Sequence, residues 1–350
     1  MPITPLGLPS VTPHIAERPR ASELIDRYGR VAKDLRVSVT DRCNLRCTYC
    51  MPEEGPGWLP GGQLLSTDEL ARLLTIAVRD LGITEIRFTG GEPLLRPDLP
   101  DLIATAASLL PRPELSITTN GIGLAEKAHA LAVAGLDRVN VSLDTIDRET
   151  FRVISRRDRL ADVLRGLESA KHAGLKPVKV NALLQRGIND AHAADLLEFC
   201  LNHGYELRII EHMPLDAGHL WRSDEMVTAN EILASLAERF SLTPDPQLRG
   251  AAPAQRWLVD GGPATVGIIA SVTKPFCGDC DRVRLTADGQ VRNCLFASDE
   301  TDLRSLLRGS ADDEEIADQW RMAIWNKKPG HGINDPDFLQ PSRPMSAIGG

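Results

Sequence analysis

Apolar and polar positions alternate with two different periods between residues 35 and 211, and the two periods follow each other along the chain. Short apolar runs predict six β-strands at 35–40, 85–89, 115–119, 138–143, 176–184 and 205–211. Segments with a helical period predict helices at 66–80, 98–110, 124–134, 147–156, 160–173 and 191–203. Strands that alternate with helices imply parallel pairing and right-handed crossovers. The pattern therefore predicts an α/β fold, a partial (β/α)6 TIM-like barrel rather than a full eightfold barrel.

Individual residues mark where several of these helices begin and end. Ser66 and Glu69 have the spacing of a capping box, which predicts the start of the first helix. Gly135 and Gly174 follow the last periodic positions of two later helices and predict their ends.

The alternation weakens after residue 215. Residues 243–263 are rich in Pro, Gly and Ala and predict a connection, and residues 286–289 predict a hairpin turn. The acidic run 312–315 predicts a solvated loop or a helix start. We therefore divide the chain into a mobile, Pro-rich N-terminal extension at 1–34, the partial barrel at 35–240 and a C-terminal cysteine-containing α+β segment at 241–350.

Charge and composition narrow the class of protein. The net charge of −8 argues against a general polyanion binder, so we expect no nucleic-acid partner, and any anionic ligand must be held by a local cluster of Arg and Lys. No apolar run approaches the ~20 residues that span a bilayer, and the first twenty residues hold five prolines and no secretory pattern. We expect a cytoplasmic protein with no membrane partner, in which cysteines are more often ligands than disulfides.

Six of the seven cysteines fall into two tight groups, and the first group is Cys43, Cys47 and Cys50. Its spacing is C-x3-C-x2-C, with Tyr49 just before the last thiol. Three thiolates leave one iron of a four-iron, four-sulfur cluster open, and an open iron can hold a small molecule and pass it an electron. A structural zinc site takes four ligands, and ordinary ferredoxin clusters use four cysteines. The spacing favours a cluster and leaves zinc as the alternative.

The second group is Cys277, Cys280 and Cys294, with the spacing C-x2-C-x13-C. Three ligands again favour an iron–sulfur cluster over zinc without excluding zinc. Arg282 and Arg284 alternate along the strand that follows Cys280, so both should point to one side. Two guanidiniums beside an open cluster predict a clamp for an anion such as a phosphate chain. The alternative is a pair of solvated strand arginines.

These features together resemble the molybdenum cofactor biosynthesis protein A family, the GTP 3′,8-cyclases, within the radical S-adenosylmethionine (SAM) superfamily. The resemblance runs from about residue 35 to the terminal pair Gly349 and Gly350. Besides the two triplets, it is carried by the motifs at 87–96, 118–121, 140–144 and 179–181. The fold of that family, a partial barrel completed by a C-terminal cysteine-bearing segment, agrees with the pattern above.

The resemblance implies SAM and two [4Fe-4S] clusters as cofactors. The first triplet would hold the cluster that binds SAM, and the second triplet would hold a cluster whose open iron meets the guanine base of GTP. The implied SAM contacts are Tyr49, Gly91, Ser142 and Met213. The implied GTP contacts are Arg36, Arg87, Thr118, Lys179, Arg282, Val283 and Arg284, with Arg208 as a further candidate. Arg282 and Arg284 are also the predicted catalytic residues.

The activity implied by the resemblance is a radical SAM lyase reaction. A 5′-deoxyadenosyl radical takes the hydrogen from C3′ of GTP, and C3′ then joins C8 of guanine. The product, (8S)-3′,8-cyclo-7,8-dihydroguanosine 5′-triphosphate, belongs to an early step of molybdenum cofactor biosynthesis. The implied partners are a one-electron donor of flavodoxin or ferredoxin type and, transiently, the cyclic pyranopterin monophosphate synthase that follows. The chain could act as a monomer or a homodimer.

The role of the terminal glycines and two alternatives to the cyclase function remain open hypotheses. In the resembling family the terminal glycines are thought to reach into the catalytic pocket, so we expect the same of Gly349 and Gly350. A radical SAM enzyme that acts on peptides, with C-terminal auxiliary clusters, is one alternative to the cyclase. A zinc-binding module with a structural or interaction role is the other.

Overall fold

The structure, a computed structural model, describes residues 17–216 and 218–349. Six parallel strands pair in the order of the chain and form the centre of one twelve-stranded sheet. They are β1 (Asp34–Ser38), β2 (Glu85–Thr89), β3 (Glu114–Thr119), β4 (Arg138–Ser142), β5 (Val178–Leu183) and β6 (Glu206–Ile210). The sheet is not closed, which confirms the predicted partial barrel.

Helices connect the six strands, as the alternation predicts. They are α1 (Thr67–Arg79), α2 (Leu99–Ala107), α3 (Leu124–Val133), α4 (Arg148–Ser155), α5 (Leu160–His172) and α6 (Ala193–His203). The Ser66–Glu69 capping box begins α1, and Gly135 and Gly174 follow α3 and α5 with positive φ angles of 105° and 83°. The predicted starts and stops of these helices are therefore confirmed.

The strand residues divide into an apolar outer set and a polar inner set. Val37, Phe88 and Ile117 are fully buried in the core that the strands share with the helices. Their neighbours in sequence face the opposite side of the sheet, because side chains alternate along a strand. The register places Arg36 beside Arg87 on this inner side. The interior of the partial barrel is therefore charged, while its cohesion comes from the outer layer.

The C-terminal segment extends the sheet at both edges. Strand β9 (Thr265–Ile269) pairs parallel with β6, and β10 (Arg282–Leu285) pairs parallel with β1. Strand β11 (Gln290–Arg292) returns antiparallel to β10 and is followed by β12 (Thr301–Asp302). Gly289, in the turn between β10 and β11, has a φ of 81°, so the predicted hairpin is confirmed. The C-terminal segment thus completes the walls around the barrel interior.

The prediction of a plain connection at 243–263 is wrong. This stretch contains most of β7 (Leu242–Pro244) and all of β8 (Gln255–Val259), and these strands are antiparallel neighbours at the outer edge of the sheet. The apolar run Trp257, Leu258 and Val259 forms the last three residues of β8. The prolines and glycines are concentrated in the turns on either side, so the average composition of the stretch concealed a short strand.

In the described part of the C-terminal half, four further α-helices follow: α7 (Ala229–Ala237), α8 (Arg304–Arg308), α9 (Asp313–Trp325) and α10 (Met345–Ile348). Asp312 and Glu315 form a capping box at the start of α9, so the acidic run is a helix start. No helix within the described parts of the chain is long and apolar enough to span a membrane.

Part of the predicted N-terminal extension is packed against the rest of the protein. Residues 1–16 lie outside the described residues. Leu24 is fully buried, and Ile25 forms a β-bridge with Val31. Asp26 and Arg30 form a buried ion pair of 2.5 Å. The segment before β1 is therefore packed where the structure describes it from Leu24 onward. The division of the chain at residues 34 and 240 stays a prediction.

Candidate functional site

A cavity opens at the carboxyl ends of the parallel strands, where barrels of this type place their chemistry. Its walls come from β1–β6, β9 and β10, from the loops that follow them and from the second cysteine triplet. Most of the predicted site residues line it: Arg36, Tyr49, Arg87, Thr118, Ser142, Arg208, Met213, Cys277, Cys280, Arg282, Arg284 and Cys294. Elements from both ends of the chain therefore bring these residues together, whereas their roles as SAM and GTP contacts stay predictions.

The first triplet lies behind one wall of this cavity. Cys47 lines a smaller adjoining cavity, and Tyr49, Ser142 and Asp144 line both. Cys43 and Cys50 line neither of the two. The wall shared by the two cavities is made largely of predicted SAM contacts, Tyr49 and Ser142, so SAM placed there would lie between the first triplet and the main cavity.

Donors without a formal charge contact one thiol of the first triplet, Cys43. Cys43 Sγ accepts from the Leu45 N–H at 3.5 Å and from Asn120 Nδ2 at 3.8 Å. Burial raises the pKa of Cys50 to about 12. The neighbouring Ser346 acts in the opposite direction but does not offset the effect of burial. Burial also raises the pKa of Cys43 and, strongly, that of Cys47. Cationic iron would supply the positive charge that thiolates in this buried setting need.

Gly91 explains how two loops approach each other. A Cβ at Gly91 would overlap the carbonyl oxygens of Asp41 and Arg42, and one at Gly90 would overlap the carbonyl oxygen of Thr40. Only residues without a Cβ allow the loop after β2 to pack against the cysteine loop. Gly91 thus allows close backbone approach to the cysteine loop. It does not line the main cavity, and its role as a SAM contact stays a prediction.

Glu92 ties this loop to the next strand. Its carboxylate accepts from the Asn120 N–H at 2.7 Å, the Leu94 N–H at 2.9 Å and the Thr119 hydroxyl at 2.7 Å. Asn120 in turn donates from Nδ2 to Asn44 in the cysteine loop at 2.7 Å. Burial raises the pKa of Glu92 to about 7, although these donors oppose the rise. Glu92 therefore positions the donor that faces Cys43.

The second triplet has a cationic setting. Cys277 and Cys280 lie in the turn before β10, and Cys294 follows β11. Burial acts to raise the pKa of Cys280, but the Lys327 ammonium and the Arg282 guanidinium outweigh it and lower the pKa to about 6. Burial raises the pKa of Cys277 to about 11. One of the three thiols is thus prepared as an anion by its neighbours.

The described residues form no binding site for a single metal ion. Within 17–216 and 218–349, no three His, Cys, Asp or Glu side chains are grouped closely enough to share one metal ion. In a cubane cluster each cysteine ligates a different iron, so its thiolates stand further apart than those around one zinc ion. The three cysteines of each triplet match in number the protein ligands of a cubane cluster that keeps one iron open.

Buried arginines on the main cavity carry unused hydrogen-bond donors. Arg36 and Arg87 each lie 3.8 Å from Asp34, a long distance for an ion pair. Arg36 Nε and Arg282 Nη2 are buried and have no hydrogen-bond partner within residues 17–216 and 218–349. Burial lowers the pKa of Arg284 to about 10. Because buried donors are normally satisfied, this lining fits an anionic ligand that would accept from them.

Arg282 and Arg284 face the cavity together, as their alternation predicts, and Val283 between them is fully buried in the apolar core. Val283 can therefore meet a ligand only through its backbone. Lys179 does not line the cavity: its side chain is 12% exposed and lies 3.8 Å from Glu206. Burial, reinforced by Arg208, lowers the pKa of Lys179 to about 8.

The C-terminal tail lies between the two triplets. Met345 lines the main cavity, Ser346 lies against Cys50, and Arg284 Nη1 donates to the Gly349 carbonyl. Gly349 has a φ of 84°, and a Cβ there would overlap the Ser38 hydroxyl. Gly350 lies outside the described residues. The tail thus borders the cavity, while its predicted role in catalysis stays a prediction.

Several residues of the site were missed by sequence reasoning. Asp144 accepts from the Tyr49 hydroxyl and from the Leu183 N–H, both at 2.8 Å, and burial raises its pKa to about 6. Its position at the end of the motif 140–144, which begins within β4 and continues past it, was an available signal. Phe276 and Asn293 line the cavity and were also missed, although each directly precedes a cysteine of the second triplet. Lys327, which contacts Cys280, and His331, which lines the cavity, have no such local signal.

Two family models match consecutive parts of the chain. The Radical SAM superfamily model matches residues 37–200, and the model described as Molybdenum Cofactor Synthesis C matches residues 205–333.

Curated relatives match over nearly the whole chain. A protein named GTP 3′,8-cyclase from Mycobacterium sp. (strain KMS) is 63% identical over 350 residues and is covered completely, as is this chain. GTP 3′,8-cyclase from Streptomyces coelicolor is 63% identical, with 96% of this chain and 98% of that protein covered. GTP 3′,8-cyclase 2 from Mycobacterium tuberculosis (strain H37Rv) is 61% identical, with both chains covered completely.

A solved structure shares the fold at much lower identity. The Streptococcus suis protein SuiB superposes with a TM-score of 0.54 at 14% identity, covering 87% of this chain and 68% of that one. SuiB has also been solved with its precursor peptide SuiA, and that structure gives a TM-score of 0.53. At this identity the likeness concerns the fold alone, and it supports the partial barrel.

Proposed function

This chain belongs to the GTP 3′,8-cyclase family within the radical SAM superfamily, and from that membership we propose that it converts GTP to (8S)-3′,8-cyclo-7,8-dihydroguanosine 5′-triphosphate. The observation that carries the proposal is the main cavity. It has the first cysteine triplet behind one wall and buried arginines with unused donors on the other, so a SAM site and an anion site share one space.

The first triplet would hold the [4Fe-4S] cluster and SAM that the family implies. When bound, they supply the radical that starts the reaction, because the demanding chemistry belongs to the cofactor. The protein binds and orients SAM through the wall of Tyr49 and Ser142. Asp144 fixes the Tyr49 ring through the phenol hydroxyl, and its own carboxylate is held by the Leu183 N–H.

The arginines would hold the triphosphate. Arg36, Arg87, Arg282 and Arg284 come from three neighbouring strands and face one space, and two of them have buried donors to offer. Each charge-assisted hydrogen bond to a phosphate oxygen contributes roughly 1.5–3 kcal/mol. A well-held ribose gains further rate from proximity to the reacting group. Binding and orientation of GTP are therefore the main tasks of this wall.

The second triplet would hold a second [4Fe-4S] cluster next to these arginines. Its three thiols leave one iron open, and Arg282 and Arg284 lie on the strand that starts after Cys280. We infer that the guanine base meets this cluster while the phosphates meet the arginines. A one-electron donor of flavodoxin or ferredoxin type and a hand-over to the cyclic pyranopterin monophosphate synthase belong to the same proposal. The cytoplasmic location and the choice between monomer and homodimer stay predictions.

The decisive experiment is a turnover assay with the anaerobically reconstituted and reduced full-length chain. We expect 5′-deoxyadenosine to form with SAM and GTP together, alongside a cyclic triphosphate identified by mass spectrometry. Iron analysis should give about eight irons per chain, the number for two cubane clusters. Formation of 5′-deoxyadenosine that GTP does not stimulate would point to another substrate, such as a peptide. Zinc in place of iron would remove the radical proposal altogether.

A further inference from the structure

Lys327 lies just after α9, and its ammonium is directed at the second cysteine triplet. The residue is only 4% exposed. Nζ donates to the Arg282 carbonyl at 2.9 Å, to the Cys280 carbonyl at 3.0 Å and to Cys280 Sγ at 3.4 Å. An ammonium has three hydrogens, so these three acceptors use all of them. All of its hydrogen bonds therefore go to Cys280 and the first residue of β10.

This buried charge has no close carboxylate partner among the described residues. Asp281 interacts with it electrostatically but forms no ion pair with it within 4.0 Å, and Asp281 is instead 3.8 Å from Arg282. A buried lysine is rarely left without a counter-charge, because an isolated buried cation is costly. The Cys280 sulfur, 3.4 Å from Nζ, would supply the opposite charge as a thiolate ligand. The lysine is thus matched to an anionic group bound at the second triplet.

Hydrogen bonds from Arg30 fix the backbone that follows Lys327. Arg30 Nη2 donates to the Lys328 carbonyl at 2.6 Å, and Arg30 Nη1 donates to the Cys277 carbonyl at 2.6 Å and to the Pro329 carbonyl at 3.0 Å. Arg30 is itself oriented by the buried carboxylate of Asp26. The segment after α9 is thereby clamped to the second triplet.

A second connection ties α9 to the other end of the triplet. Asn293, the residue before Cys294, donates from Nδ2 to the Ala323 carbonyl near the end of α9 at 2.8 Å. The end of α9 is therefore fixed to both arms of the β10–β11 hairpin that carries the thiols. A charge held in a fixed position acts as a permanent part of the electrostatic environment of the site.

We propose that Lys327 is a positioning residue for the second triplet, which donates to the Cys280 sulfur and favours the reduced form of an iron–sulfur cluster bound there. The inference rests on the proposed second cluster. Reduction by one electron makes such a cluster more negative, and a nearby cation with a hydrogen bond to a ligand sulfur stabilises the more negative form. The electron comes from the one-electron donor of the proposed function or, in the test, from dithionite.

The test is a reductive titration followed by electron paramagnetic resonance. The full-length chain carries Cys43→Ala, Cys47→Ala and Cys50→Ala, so that only the second cluster contributes a signal. Into this background we place Lys327→Met, which removes the charge, Lys327→Arg, which keeps it, and Lys328→Met, which removes the exposed neighbouring charge. We expect Lys327→Met to lower the ratio of reduced to oxidised cluster at a fixed potential at least tenfold, which corresponds to about 59 mV for one electron. Lys327→Arg should stay within about threefold of the parent, and Lys328→Met should match it.

The possible outcomes separate this inference from the proposed function. If the wild-type chain binds about eight irons and cyclises GTP, but Lys327→Met titrates like its parent, the inference is wrong and the proposed function stands. If the parent with only the second triplet binds no iron, the second cluster fails and the inference fails with it. Loss of iron from Lys327→Met with retention in Lys327→Arg, at equal thermal stability of the metal-free proteins, would support the role of the charge. Loss of iron from both would show that the position serves packing alone and would overturn the inference.

Discussion

The two cysteine triplets have the same number of thiols but differ in the charge around them. At the first, neutral groups donate to Cys43 Sγ, namely the Leu45 N–H and the Asn120 amide, and the Arg46 guanidinium has only a minor lowering effect on the Cys43 pKa. Burial raises the pKa of all three thiols. The second is met by cations, Lys327 and Arg282, which lower the pKa of Cys280 to about 6 against the effect of burial. The surroundings therefore distinguish two sites that thiol count alone would make equivalent.

This difference matches the different partners proposed for the two sites. SAM carries its own positive sulfonium, so a wall of neutral donors around the first triplet avoids repulsion between the protein and the cofactor. GTP carries a triphosphate, and the cations beside the second triplet attract it. Arg282 belongs to both the triplet and the anion-binding wall, which links the second cluster to the position of the nucleotide.

The largest expected effect comes from removing one triplet at a time. Cys43→Ala with Cys47→Ala and Cys50→Ala should abolish formation of 5′-deoxyadenosine, because no cluster remains beside the SAM wall. Cys277→Ala with Cys280→Ala and Cys294→Ala should leave slow cleavage of SAM but no cyclic product. Each variant should lose about four irons, measured by iron analysis and product assay.

Cys200→Ala is the matched control for these variants, since the Cys200 side chain is fully buried in the apolar core away from both triplets. It should retain about eight irons. Cyclisation of GTP by the chain without its second triplet would refute the division of tasks between the two sites.

The next largest effect is expected for Arg284→Ala, which removes one positive charge from the cavity wall beside the second triplet. The variant loses one charge-assisted contact to the triphosphate and the donor that holds the Gly349 carbonyl. At roughly 1.5–3 kcal/mol, the loss should lower kcat/KM for GTP by about 10- to 150-fold, while SAM cleavage persists. Product formation at varied GTP concentration measures it.

Arg222→Ala serves as the control for this substitution, because Arg222 is an exposed arginine paired with Asp224 outside the cavity. It should turn over GTP like the wild type. Full cyclase activity in Arg284→Ala would argue against the clamp formed by Arg282 and Arg284.

The comparison also shows which parts of the site a sequence can predict. Both triplets, and the pairing of Arg282 with Arg284, depend on residues close together in the chain and on the simple alternation of a strand, so they were predictable. The hydrogen bond from Lys327 to Cys280 spans 47 positions, and that from Arg30 to Cys277 spans 247. No local pattern marks such residues, because only the packing of α9 and the N-terminal segment against the hairpin brings them together.

The fold was predictable for a related reason. Six β/α units repeat a local period, and the capping box of Ser66 and Glu69 and the glycine at 135 mark their ends. Strand β8 was missed because its five residues lie between turns rich in Pro and Gly. The pairing of β9 and β10 with opposite edges of the sheet has no signal in the sequence, because strand partners are chosen by tertiary packing.

The smallest expected effect concerns the first triplet, where Glu92 holds Asn120, the residue that donates to Cys43. Burial raises the pKa of Glu92 in the folded protein to about 7, from an ordinary value of 4.5. The raised pKa means that folding favours the protonated carboxyl, so its stabilising contribution is full below pH 4.5 and is lost as the pH rises through about 7. Between about pH 5 and about pH 8, the free energy of unfolding of the metal-free chain should fall by about 2 kcal/mol on account of this residue.

Glu92→Gln should remove this dependence on pH, because the amide stays uncharged and still offers one oxygen to the donors around it. Urea unfolding of the metal-free wild type and variant across this pH range measures the difference, and Glu126→Gln, an exposed position on α3, controls for loss of a surface charge. Equal pH slopes in the wild type and Glu92→Gln would show that Glu92 is already ionised throughout. Ionised Glu92 would then place a fixed negative charge near the first triplet, linked to Cys43 through Asn120. The charge around the first triplet would then be negative, whereas the charge around the second triplet is positive.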